Sequence, residues 1–134
     1  MNITHFDDLL VAARSQPQPQ RLLMVFVAAQ LPPEASAEQR QSHGAGAGGE
    51  LEPLMCVDKS PQELADFAAL ADEAQAMHPG WALVFAAALG GAAGKAPEAA
   101  AVDAALERML DAVRAGRLSG FIPFDRQGQA VNLS

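Results

Sequence analysis

Residues 51–76 read LEPLMCVDKSPQELADFAALADEAQA, a strand signal running directly into a helix signal. Pro53, Leu54, Met55, Cys56 and Val57 form an apolar run with too few polar interruptions to be half solvated, and it ends on Asp58 and Lys59. Such a run predicts a strand covered on both faces. Ser60 then precedes Pro61, with Glu63 in place to complete a capping box, and proline's missing N–H costs nothing at the first helical position. Leu64, Phe67, Ala68, Ala71 and Ala74 recur at helical spacing, while Glu63, Asp66, Asp72, Glu73 and Gln75 take the other side. The stretch predicts a helix from Pro61 to Ala76 that buries one face.

Working outward, Asn2 or Thr4 is placed to cap a first helix whose apolar stripe is Phe6, Leu9, Leu10 and Ala13, and Pro17 ends it. Alternating Pro and Gln over 15–20 make a stiff connector. Leu22 to Val27 is unbroken apolar sequence and predicts a central strand. Residues 31–50 open with Pro32 and Pro33, allow a short helix over 34–41, and continue as glycine and alanine over 44–49; they predict a long, mobile loop. Trp81 to Leu89 predicts a third strand, Gly90 to Lys95 a flexible turn, and Pro97 onward a helix carrying Val102, Ala105, Leu106, Met109, Leu110 and Val113 on one side. Gly116 is its stop signal. Phe121 to Phe124, a turn over 125–128, and Gln129 to Leu133 predict a final hairpin, which Pro123 assigns to a sheet edge.

This order predicts an α/β fold in a single compact domain over 1–134, with a mixed sheet of four to five strands and helices packed on it. Strand, helix, strand occurring twice favours parallel crossovers. The alternative is an α+β two-layer sandwich with every helix on one face.

Composition narrows the function classes. Nine Lys and Arg against sixteen Asp and Glu give a net charge of -7, which disfavours nucleic-acid backbones and anionic membrane surfaces. The longest apolar run, Trp81 to Gly94, is shorter than the roughly 20 residues that span a bilayer. With one cysteine, no internal disulfide forms, and Asp7 and Asp8 break any leader-like pattern, so a cytoplasmic protein is expected.

If the strands ending at Val57, Leu89 and Phe124 run parallel, their carboxyl ends gather Asp58, Lys59, Ser60, Gly90, Gly91, Gly94, Lys95, Asp125 and Arg126 at one sheet edge, where open parallel sheets bind ligands. Helix N-termini at Pro61 and Pro97 would add free N–H groups there, suiting a small anionic ligand. The same residues are also what caps and turns require. Gly90 to Lys95 fails as a nucleotide loop, since three residues rather than four separate Gly90 from Gly94 and Ala96 stands where a metal-binding hydroxyl is needed. Cys56 reads as inert core rather than a nucleophile, because His78 enters the next strand at its other end. His5, His43 and His78 are scattered and Cys56 is alone, so no metal-ligand spacing and no cofactor is implied. No pair of catalytic carboxylates is visible.

Phe6-Asp7-Asp8-Leu9-Leu10, Pro53-Leu54-Met55-Cys56-Val57-Asp58-Lys59-Ser60-Pro61 and Pro123-Phe124-Asp125-Arg126-Gln127-Gly128-Gln129 together resemble a family of short, largely uncharacterised proteobacterial proteins. Some of its members are labelled ribonucleotide reductase alpha subunit. That activity implies a large chain with several redox cysteines, whereas this sequence has one cysteine in 134 residues. The resemblance therefore carries no site residues. The expectation is a non-enzymatic binding or regulatory domain that self-associates or meets another protein. The alternative is a small anionic-ligand binder or modest enzyme at the strand ends.

Overall fold

A computed structural model describes residues 3–30 and 50–131. The expected loop over 31–50, with its short helix and His43, lies outside them except for residue 50. The elements run α1 (Phe6–Arg14), β1 (Gln20–Gln30), β2 (Glu50–Lys59), α2 (Phe67–Met77), β3 (Leu83–Gly90), α3 (Ala99–Arg114) and β4 (Ile122–Phe124). The four strands form one sheet in the order β2-β1-β3-β4.

The strand count and the helices packed on the sheet are as expected, but each of the three strand pairings is antiparallel. The reason lies in strand order. β2 and β3 do run in the same direction, as the strand-helix-strand pattern suggests. They are not neighbours, because β1 sits between them and opposes both. β4 then pairs antiparallel with β3, Val84 opposite Phe124 and Ala86 opposite Ile122.

β1 is the central strand its sequence predicts. Leu22, Met24 and Phe26 face one core, while Leu23, Val25 and Val27 face the other. An unbroken apolar run is the pattern of a strand with both faces covered. The first core is built by α1 and α2, through Phe6, Leu9, Leu10, Phe67, Leu70 and Ala74, together with Trp81 and Phe124. The second is closed by α3 through Val102, Met109 and Val113. Helices therefore cover both faces, and the two-layer alternative with all helices on one face does not hold.

β2 departs from its reading. It is an edge strand, and Cys56 is exposed. Met55 and Val57 pack against the α1/α2 core, but the opposite face of the strand gets less cover. Pro53, inside the strand, is the signal that pointed to an edge, since proline cannot donate to a ladder on both sides. A bulge falls beside it: Phe26 pairs with Met55 but Val27 with Pro53, which leaves Leu54 without an opposite. At the other edge, Pro123 in β4 follows the same rule, as the sequence predicts.

The capping box at Ser60 and Glu63 is present, with Glu63 N–H donating to Ser60 Oγ at 3.2 Å and Ser60 N–H to Glu63 Oε1 at 3.3 Å. It closes only a turn; the helix begins at Phe67 with Asp66 as its N-cap. Arg14 of α1 explains the delay. Its guanidinium donates to the carbonyls of Pro61 (3.0 Å), Leu64 (2.6 Å) and Ala65 (3.3 Å), claiming acceptors that an early helix would need.

Candidate functional site

The strand-end residues expected to meet at one edge divide between two ends of the sheet. β2 and β3 finish at the same end, so Asp58, Lys59 and Ser60 share it with Gly91, Gly94 and Lys95. β4 runs the other way, which carries Asp125 and Arg126 to the opposite end. Asp58 is bonded to Arg21 at 2.7 Å, Lys59 to Glu73 at 3.1 Å, and the Ser60 hydroxyl accepts from Glu63. Lys59 and the Lys95 turn are also separated by the width of β1, which puts β2 and β3 roughly 10 Å apart.

Residues 91–95 form a two-residue hairpin in which Ala92 and Lys95 exchange both backbone hydrogen bonds at 3.0 Å, with Ala93 and Gly94 both at positive φ. Gly94 N–H donates to Gln18 Oε1 at 2.8 Å and Gly91 N–H to the Pro19 carbonyl at 2.8 Å. A cradle for phosphate needs N–H groups free to point at the ligand; these are occupied by the protein itself.

Cys56 lies opposite Val25, on the face that α3 covers, whereas His78 ends α2 on the other face. The two form no dyad. Loss of water around the thiol pushes its pKa above the usual 9.0, and the nearby Arg114 offsets this only in part. At neutral pH the sulfur stays protonated, the unreactive form.

A different set of residues converges at the seam where the start of the chain meets α2 and the final hairpin. Phe6 N–H donates to the Gly128 carbonyl and Ala130 N–H to the Thr4 carbonyl, both at 2.8 Å, stitching residues 4–6 to 128–130. His5 is the N-cap of α1, with Nδ1 accepting from Asp7 N–H at 3.0 Å. Its Nε2 lies 3.0 Å from the Gln127 carbonyl, an acceptor, an arrangement that fits the tautomer with its proton on Nε2. Asp8 closes the box by accepting from the backbone N–H of Thr4 and His5, each at 3.1 Å. These bonds hold its carboxyl below the usual 3.8. Asp7 reaches across to accept from Phe67 N–H at 2.8 Å, and Asp66 accepts from Ala69 N–H at 2.9 Å. Two carboxylates thus cap α2, where its dipole favours negative charge.

Arg126 completes the seam. Its guanidinium stacks 5.0 Å over the buried Trp81 ring and donates to the carbonyls of Pro79 and Trp81 and to Gln75 Oε1. Beneath it Trp81 Nε1 is buried with no acceptor among the described residues. Between these parts runs an open groove of about 460 Å³, lined by His5, Asp7, Asp66, Phe67, Asp72 and Arg126, with Ala68 and Ala71 of α2 giving it depth because their side chains are short. Asp72 is exposed and makes no hydrogen bond or ion pair with any described residue. Of the sequence-derived candidates only Arg126 lies here. In sequence Asp66 and Asp72 belong to the polar side of a helix, and only the fold brings them together with Asp7.

Among the described residues no cluster of three or more His, Cys, Asp or Glu side chains is placed to hold a metal ion, and no helix is long and apolar enough to cross a membrane. Comparison with protein-family models, curated proteins and solved structures finds nothing that matches this chain.

Proposed function

We propose that this protein is a non-enzymatic binding domain that acts through protein-protein contacts and receives a basic segment of its partner in the groove between α2 and the two chain ends. The observation that carries this reading is the charge of the groove: three carboxylates, from Asp7, Asp66 and Asp72, against one guanidinium that is already committed to protein acceptors. His5 adds no positive charge while its Nδ1 accepts from an amide. A lysine or arginine side chain would find the Asp72 carboxylate, which has no partner among the described residues, beside the two capping carboxylates of Asp7 and Asp66 and over an alanine floor. The chain's net charge of -7 would steer such a partner toward it.

Contact through the outer edge of β2 is the weaker possibility. Pro53, the bulge at Leu54 and the charged Lys59 are devices by which proteins discourage strand addition. The small-anion reading at the strand ends has less support still, since Lys59 is paired with Glu73 and the turn amides are used. A cytoplasmic setting agrees with a single thiol that has no disulfide partner in its own chain.

The test is an NMR titration with a short Lys/Gly peptide at low salt. Saturable shifts at the amides of Asp66, Ala68, Ala71 and Asp72 are expected, weakening with added salt and lost in Asp72→Lys. No shifts, or the same shifts with a Glu/Gly peptide, would overturn the proposal.

A further inference from the structure

We propose that His5 is a pH-operated switch on the charge of the groove, an inference that rests on the groove's reading as a site for a basic segment. The neutral ring has both nitrogens engaged: Nδ1 accepts from Asp7 N–H at 3.0 Å, and Nε2–H donates to the Gln127 carbonyl at 3.0 Å. Nδ1 also lies 3.6 Å from Asp7 Oδ2. A proton taken from solvent onto Nδ1 removes the lone pair that holds the Asp7 amide. The new N–H then turns to the nearby carboxylate, while Nε2–H keeps its bond to Gln127. One partner is exchanged for another on the same residue.

The surroundings favour exchange over release. From α1 come Asp7, close to the ring, and Asp8, whose carboxylate accepts from the His5 backbone N–H. From α2 the Phe67 ring stands edge-on with centroids 6.0 Å apart, and Asp66 and Asp72 lie further along the groove. From the hairpin come Arg126 and Gln127, with Gly128 packed close to the imidazole. These contacts keep the ring in place in both states, with its side chain 28% exposed and open to protons. Once protonated, His5 neutralises Asp7 internally, and the groove loses one unit of the negative charge that attracts a basic segment.

The experiment follows the His5 ring nitrogens and the Asp7 and Gln127 amides by NMR between about pH 8 and about pH 5.5, the range where histidines change charge. The Lys/Gly peptide is titrated at both limits. The neutral ring should carry its proton on Nε2, and the Asp7 amide should move in step with ring protonation. Peptide affinity should fall roughly two- to fivefold toward the lower pH, the worth of one exposed charge pair. His5→Asn keeps an acceptor for the Asp7 amide without titrating, so its affinity should be flat across the range. A neutral ring protonated on Nδ1, or an Asp7 amide indifferent to the ring, overturns the switch. A switching ring with pH-independent affinity overturns its link to the groove. If the peptide binds at neither pH, the proposed function fails, and the partner exchange is still decided by the amides.

Discussion

Gly128 shows how one residue fixes the seam. Its φ is +83, and a Cβ there would lie 2.7 Å from His5 Nε2 and 2.8 Å from the Phe67 ring. Gly128→Ala should cost about 2–3 kcal/mol, from an unfavourable backbone region and forced displacement of packed rings, read as a lower denaturant midpoint. Ala93 presents the opposite case. It holds φ +55 in a tight hairpin whose first central position favours asparagine or glycine. Ala93→Asn should stabilise the fold by about 1 kcal/mol, relieving a left-handed conformation that alanine tolerates poorly; an unchanged melting temperature would contradict the turn geometry. Neither demand was visible in sequence. Gly128 reads as one more turn glycine until His5 and Phe67 arrive from 123 and 61 positions away.

Among the elements, α1 does more than fill the core. Its first turn caps itself through His5 and Asp8 and caps α2 through Asp7, and its last residue, Arg14, holds the turn that precedes α2. The Asp8 carboxyl is depressed in the folded chain, first by the Thr4 and His5 amides. Its folded pKa therefore lies below the unfolded 3.8, so its contribution is complete above that value and disappears as pH falls through the folded one. Thermal melts below about pH 5 should show an acid-induced loss of stability that is shallower in Asp8→Asn. An identical slope in the variant would remove Asp8 from this role. Local signals located the elements well: β1, α3, the final turn and the edge position of β4 follow from apolar runs, spacing and proline placement. They misplaced the start of α2 because the capping box at Ser60 is real but is outcompeted by Arg14, a residue 47 positions upstream of Pro61. Local spacing carries no record of such a competitor. The direction of β2 and β3 was legible for the same reason their pairing was not: a crossover fixes relative direction, while the strand inserted between them comes from earlier in the chain.

Across the whole molecule, the core on the α1/α2 face joins the beginning of the described chain to its end. Phe6 and Phe124 are fully buried, with ring centroids 5.3 Å apart, and Phe67 lies 5.4 Å from Phe6. Phe124→Ala should cost about 3–5 kcal/mol. Phe6→Ala and Phe124→Ala together should cost less than their sum, because each empties part of the same space. Strict additivity in a double-mutant cycle would show that the seam is not one cooperative unit. The groove was unreadable in sequence for this reason: it is made by residues from three distant stretches, and its acids look like ordinary helix surface until the ends meet.

The stitch between residues 4–6 and 128–130 also sets an order of events in the cell. During synthesis the first helix leaves the ribosome long before the hairpin it needs, so its N-cap has no Gln127 carbonyl and Phe6 no Gly128 carbonyl to bond. Until residue 130 has emerged, the apolar side of α1 has an incomplete docking surface, and the groove does not exist. In a nascent chain the groove is thus assembled only after the final hairpin has joined the first helix.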